Sequence, residues 1–256
     1  LSRIHRHSLE YLRQQKDFII ANCDKNLGPA IIERDQYIKL AFRDHLSDAT
    51  TYQRLTPEAA ATYIADNKDR LNRWLRKHRQ ELTDQEYAYI SHHSDTAVDP
   101  LPYFYLTMKV HKTPLKTRPI VSFSGSLFHS LGVWIDTHLQ AVAKSFDNYI
   151  ESSFDLLRDL KTLTLPPGSL LFTADATSMY TNIDTMHGLE TLEFFIRRYS
   201  TMVINFPTET VITLLTYVMK TNIFAFGDLF FLQQSGTAMG TIVAVRYATI
   251  YCAKHE

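Results

Sequence analysis

The chain is poor in cysteine and glycine, carries no net charge and has no long apolar run, and each shortage closes off a class of protein. Two cysteines, Cys23 and Cys252, far apart in 256 residues, cannot build a disulfide framework. They fit reduced thiols of an intracellular protein and give no sign of a catalytic thiol. With only eight glycines there is no Gly/Ser linker, no low-complexity tract and no internal repeat, so continuous globular structure is expected. No apolar stretch reaches the roughly 18 residues of a membrane helix. The opening Leu1-Ser2-Arg3-Ile4-His5-Arg6-His7 has neither the apolar core of a secretory signal nor an initiator Met, and is expected to be a boundary within a longer protein. Zinc is not expected either. His92 and His93 are adjacent, His5 and His7 sit at the terminus, and no cysteine pair accompanies them.

The balance of 27 basic and 27 acidic residues argues against a uniformly cationic nucleic-acid surface, but the distribution is uneven. Between Asp99 and Asp136 there is no carboxylate, while Lys109, His111, Lys112, Lys116 and Arg118 concentrate positive charge suited to phosphate. These cations fall in residues 101–122, two aromatic or β-branched runs joined by a turn, which reads as a hairpin able to fold over a triphosphate.

Elsewhere 45% hydrophobic residues, with 15 Phe and 14 Tyr, suffice for a core. Residues 9–20 read as helical or mixed, a turn follows over 22–29, and Ala30-Ile31-Ile32 reads as a strand. Helices are expected over 34–46 and 57–79, the second with Thr56 as cap, Pro57 in the first position and Glu58 at the positive end of the dipole. The end of this helix is basic, through Lys68, Arg70, Arg73, Arg76, Lys77 and Arg79, and serves equally well as a solvated face or a nucleic-acid contact. Over 127–144, Leu127, Leu131, Trp134, Ile135, Leu139 and Val142 recur every three or four residues and form one helical core face.

After Pro166-Pro167-Gly168, residues 169–174 read as an apolar strand that delivers Asp175 at its C-terminal end. A carboxylate there, beside backbone carbonyls, is a hard-oxygen site suited to Mg²⁺, although a lone Asp in such a place is more often a turn former. Residues 223–232 read as a hairpin turning at Gly227-Asp228. A Gly236-x-x-x-Gly240 loop and a helix to about Tyr251 follow, and the two glycines permit close backbone approach.

In chain order these segments resemble the reverse transcriptases of Penelope-like retroelements, relatives of telomerase. Asp24-Lys25-Asn26-Leu27-Gly28-Pro29 is similar to the family's first fingers motif. Phe104-Tyr105-Leu106-Thr107-Met108-Lys109-Val110-His111-Lys112, with Arg118-Pro119-Ile120-Val121-Ser122, is similar to its second. Ala174-Asp175-Ala176-Thr177-Ser178-Met179-Tyr180-Thr181-Asn182-Ile183 resembles palm motif A, and Gly236-Thr237-Ala238-Met239-Gly240-Thr241 resembles motif B. The likeness runs over nearly the whole chain.

The resemblance implies a mixed α/β fold of right-hand polymerase fingers and an incomplete palm, divided as 1–165 (N-terminal extension and fingers) and 166–256 (partial palm). It implies an RNA-directed DNA polymerase working on an RNA template, a DNA primer and deoxynucleoside triphosphates, in the nucleus, with no membrane partner. Asp175 would be catalytic and would bind both Mg²⁺ ions, with Mn²⁺ able to substitute, and the Ala176 carbonyl would be a further ligand. Arg118, with Lys112 or Lys109, would neutralise the triphosphate. Tyr180 would pack under the sugar and exclude a 2′-hydroxyl. Gln234, Gly236 and Gly240 would support the template base and new base pair, and Lys25 would line the template side. The sequence departs from the family in one respect. It holds no Asp-Asp pair, so the third palm motif is missing, and this chain alone is expected to be incompetent as a catalyst. An RNA-dependent RNA polymerase, a non-catalytic RNA/DNA-binding module derived from a reverse transcriptase, and a structural protein are the competing expectations.

Overall fold

The computed structural model describes residues 10–11, 14–96, 100–170, 172–176 and 179–254. The start of the stretch expected to be helical, at Leu9, and Thr177 and Ser178 of the motif around Asp175 lie outside them.

Two short strands, β1 (Phe18–Asn22) and β2 (Pro29–Glu33), pair antiparallel around a turn closed by the Cys23 amide on the Gly28 carbonyl at 2.8 Å. The apolar run Phe18-Ile19-Ile20 thus makes a strand where a helical or mixed segment is expected, because it has β2 to pair with. Helix α1 (Arg34–Ala41) continues into a π-turn at Phe42–Leu46 and leads to β3 (Tyr52–Leu55). Helix α2 (Pro57–Lys77) starts as expected: the Thr56 hydroxyl accepts from the Ala59 amide and Pro57 takes the first position. After α3 (Asp84–Thr96) comes the cationic hairpin, β4 (Tyr103–Lys109) and β5 (Lys116–Ser122), then α4 (His129–Lys144) and α5 (Ser153–Thr162). The remainder comprises the one-turn α6 (Met179–Asn182), α7 (Thr185–Ser200), α8 (Thr208–Lys220), the hairpin β6 (Ile223–Phe226) and β7 (Leu229–Gln233), and α9 (Ala244–Cys252).

The fold is mixed α/β, with a five-stranded mixed sheet in the order β3-β7-β6-β4-β5. All its pairings are antiparallel except β4 with β6, which meet at Tyr103 and Ala225. The sheet therefore draws strands from both sides of residue 166. Pro119, which has no amide to donate, is accommodated because β5 lies at the sheet edge. One core joins the sheet to α1 through Tyr37, Leu40, Phe104, Leu106, Phe224 and Phe231. The Tyr37 hydroxyl also accepts the buried Leu106 amide at 2.7 Å. A second core is helical: the predicted face of α4, including Leu131, Ile135, Leu139 and Val142, packs with α3, α7, α8 and α9.

Among the described residues of the expected strand over 169–174, which leave out Leu171, no strand forms. No described strand lies beside it, and the side chains of Leu170 and Phe172 face solvent at 95% and 87% exposure. Asp175 consequently stands on an extended loop before α6 and not at the end of a sheet strand.

Candidate functional site

A cleft of about 780 Å³ opens where four chain segments converge. The β4–β5 hairpin contributes Lys109, Lys112 and Arg118, the loop before α6 contributes Asp175 and Ala176, and α6 contributes Tyr180. These six were singled out from sequence and line one cavity. The other walls come from Asp44 and His45 on the π-turn, from Asp48 after it, and from Met239.

The convergence has a local cause in the Gly236–Gly240 loop. The Val121 amide donates to the Met239 carbonyl at 2.7 Å, and the Thr237 amide donates to the Tyr180 carbonyl at the same distance. A Cβ on Gly236 would come within 2.9 Å of the Thr181 backbone, and one on Gly240 within 2.4 Å of the Val121 carbonyl oxygen. Both have positive φ, at +75° and +112°. The glycines thus let this loop lie against α6 and β5 together, which holds Tyr180 opposite Arg118. Neither glycine lines the cleft. Gln234 points elsewhere: its side chain donates to Gln53 Oε1 at 2.8 Å and its amide to the Thr51 carbonyl.

Of the three hairpin cations, Arg118 is held by an acidic partner from a distant segment. Arg118 Nη1 lies 3.1 Å from Asp24 Oδ1, and the Asp24 side chain is only 8% exposed. Lys25 lies beside that pair in an adjoining cavity of about 620 Å³, which shares Arg118 with the cleft. Arg43 pairs with Asp44 at 2.7 Å and also donates to the Leu115 carbonyl at the turn end of the hairpin. The Asp44 carboxyl is held below the ordinary carboxylate range, first by Arg43 and further by the Thr117 hydroxyl.

That hydroxyl settles the state of His45. Thr117 Oγ1 donates to Asp44 Oδ2 at 2.9 Å, so at His45, also 2.9 Å away, it accepts from Nε2–H. Burial pushes the His45 pKa down to about 4, with Lys109 and Arg43 adding to the effect and Asp44 opposing it. The ring is therefore neutral at physiological pH and extends the hairpin's hydrogen-bond network into the cleft floor. Asp48 accepts from the Thr50 amide and from the Thr50 and Thr51 hydroxyls, which together lower its pKa to about 2. Tyr180 is half-buried, and burial raises its phenol while the Arg118 charge acts the other way.

Among the described residues no group of three His, Cys, Asp or Glu converges as a metal would require. Asp44 and Asp48 are committed to the partners named above, whereas Asp175 is exposed and has no hydrogen bond or ion pair to a described residue. It is the cleft carboxylate free to meet a cation. The sequence reading missed Asp24 as the partner of Arg118, and Asp44, His45 and Thr117 as a network. Only Asp48-x-Thr50-Thr51 carries a local signal, the pattern of a carboxylate capping its own turn. No protein-family model and no curated protein matches this chain.

Proposed function

We propose that the chain is the fingers and first part of the palm of a reverse transcriptase of the Penelope-like kind, whose cleft receives a deoxynucleoside triphosphate paired to an RNA template at a DNA primer end. The observation that carries this reading is the meeting of Lys109, Lys112 and Arg118 with Asp175 and Tyr180 around one cavity large enough for a nucleotide. Arg118 keeps guanidinium donors beyond the one turned to Asp24 and grips phosphate oxygens, with Lys112 adding charge at the exposed turn. The Tyr180 ring packs under the sugar, where a 2′-hydroxyl would clash. Asp175 and the Ala176 carbonyl are the donors this chain would bring to Mg²⁺, an ion that neutralises charge developing on a transferred phosphoryl group. A second ion needs a second uncommitted carboxylate, so the chain alone is inactive and the activity belongs to a longer, nuclear parent protein.

Primer extension on an RNA template with deoxynucleotides and Mg²⁺ tests this. The comparison is between the chain, the longer parent containing it, and the parent with Asp175→Ala. DNA synthesis by the unaltered parent alone is expected. Extension by the isolated chain, or by the Asp175→Ala parent at full rate, would refute it. The second reading is a non-catalytic RNA/DNA-binding module that keeps the cationic cleft of Lys109, Lys112 and Arg118. A parent that binds an RNA–DNA duplex but makes no DNA would establish that one.

A further inference from the structure

A second cavity, of about 810 Å³, lies between α2 and α8 and shares no lining residue with the cleft. Residues 63, 67, 70 and 74 recur every three or four positions on α2, so Tyr63, Asn67, Arg70 and Trp74 form a single wall. The eleven helical rises from Tyr63 to Trp74 carry this wall along roughly 16 Å. Tyr217 and Lys220 of α8 face it. The floor is fixed: Tyr217 Oη sits 2.8 Å from the Asn67 backbone carbonyl oxygen and 3.0 Å from its Oδ1, and Asn67 Nδ2 donates to the Tyr63 carbonyl at 2.7 Å.

The upper edge is cationic. Arg70, Arg73 and Lys220 are exposed, and among the described residues none forms an ion pair. Asp66 is the groove's single carboxylate, against those three cations. Basic residues along a helix are commonly a solvated face, but here they border a cavity walled by flat rings. The Arg70 guanidinium lies 5.8 Å over the Tyr217 ring, and Trp74 stacks on His78 at 4.6 Å and 12°. Cations at phosphate height above aromatic and guanidinium planes are the combination that holds unpaired nucleotides, since every base offers a π-face and every linkage a charge. A peptide helix would ask for an apolar trough without the charge, and an acidic peptide has no use for three aromatic rings.

We propose that the α2–α8 groove binds a short run of single-stranded nucleic acid, its phosphates on Arg70, Arg73 and Lys220 and its bases against Trp74 and the Arg70–Tyr217 stack. This groove is separate from the nucleotide cleft and does not depend on the polymerase reading.

The test uses fluorescein-labelled oligothymidylate and oligouridylate in anisotropy titrations against the chain, followed over a salt series, with tryptophan emission recorded alongside. Three phosphate contacts predict a slope of log affinity on log salt of about −2, and Arg70→Gln with Arg73→Gln should bring it to about −0.7 and weaken binding on the order of tenfold. Quenching of tryptophan emission should vanish in Trp74→Phe and persist in Lys112→Ala, an exposed cleft residue that does not line the groove. Circular dichroism confirms that each variant is folded. Preference for oligouridylate would identify the strand as RNA, and equal affinity or preference for oligothymidylate would admit DNA; either supports the groove. Unchanged affinity and slope in the double arginine variant, quenching that survives Trp74→Phe, or displacement by polyglutamate as effective as by unlabelled oligonucleotide would overturn it.

Discussion

Arg118 on the edge strand β5 reaches the carboxylate of Asp24 in the β1–β2 turn, 3.1 Å away, and so ties the two segments that carry the expected fingers motifs. The pair is asymmetric. The Asp24 side chain is 8% exposed and its Oδ2 is buried without a partner among the described residues, whereas Arg118 is 42% exposed and borders both cavities. The contact therefore solves a burial problem for Asp24 and orients a guanidinium for whatever enters the cleft.

That asymmetry sets a stability order. Arg118→Ala leaves a buried carboxylate without its cation and should cost about 1–3 kcal/mol. Asp24→Asn removes the charge that needed compensating and should cost less. In the double variant most of the Arg118→Ala penalty should disappear, as urea unfolding midpoints of the four proteins would show. Additive penalties would mean that the two side chains do not interact in solution.

Gly240 gives a sharper steric expectation. Its φ of +112° is strained for any L side chain, and the Val121 carbonyl oxygen stands 2.4 Å from where a Cβ would be. Gly240→Ala should therefore destabilise the chain by about 1–3 kcal/mol in thermal or urea unfolding. Gly28→Ala, with open space around its Cβ, should cost less, the strain of its positive φ alone. Equal penalties at the two positions would show that the loop can move away from β5.

His45 predicts a pH dependence. Its folded pKa of about 4 lies below the ordinary value of 6.5, so the unfolded chain binds the proton more readily. Stability from this group is complete above about pH 6.5, falls as the pH drops from there toward 4, and changes no further below that. His45→Gln keeps a donor for Thr117 but cannot titrate. The difference in unfolding free energy between the two proteins should shift across that window and level off on either side. A constant difference from pH 7 to 4 would place the ring in water.

The helices with local signals were legible in the sequence. The Thr56 cap and Pro57 mark the start of α2, and the apolar spacing along α4 matches its buried face. The hairpins at 101–122 and 223–232 were legible too, because alternation and turn residues are local properties. Strand β3 was not, since Tyr52-Gln53-Arg54-Leu55 becomes a strand only by pairing with β7, far along the chain. For the same reason the cleft's cations could be named but the carboxylates that hold one of them and its neighbour could not: Asp24 and Asp44 reach Arg118 and Thr117 through tertiary contact, with no spacing that announces it.

The segment before Asp175 shows the converse, a strand pattern without a strand, and it yields a direct comparison. Leu170 and Phe172 stand 95% and 87% exposed, while Phe224 on β6 is fully buried among Tyr52, Phe104 and Phe231, with ring centroids 5.6 to 5.7 Å away. Phe224→Ala should cost about 3–5 kcal/mol, the loss of a buried aromatic and the cavity it leaves. Phe172→Ser should stay within about 0.5 kcal/mol of the parent, because it removes no packed contact. Urea unfolding of the two variants decides it. A Phe172 penalty approaching that of Phe224 would mean that residues 169–174 pack as a strand in solution and hold Asp175 against a sheet. A negligible one leaves Asp175 on a solvated loop with no sheet beside it.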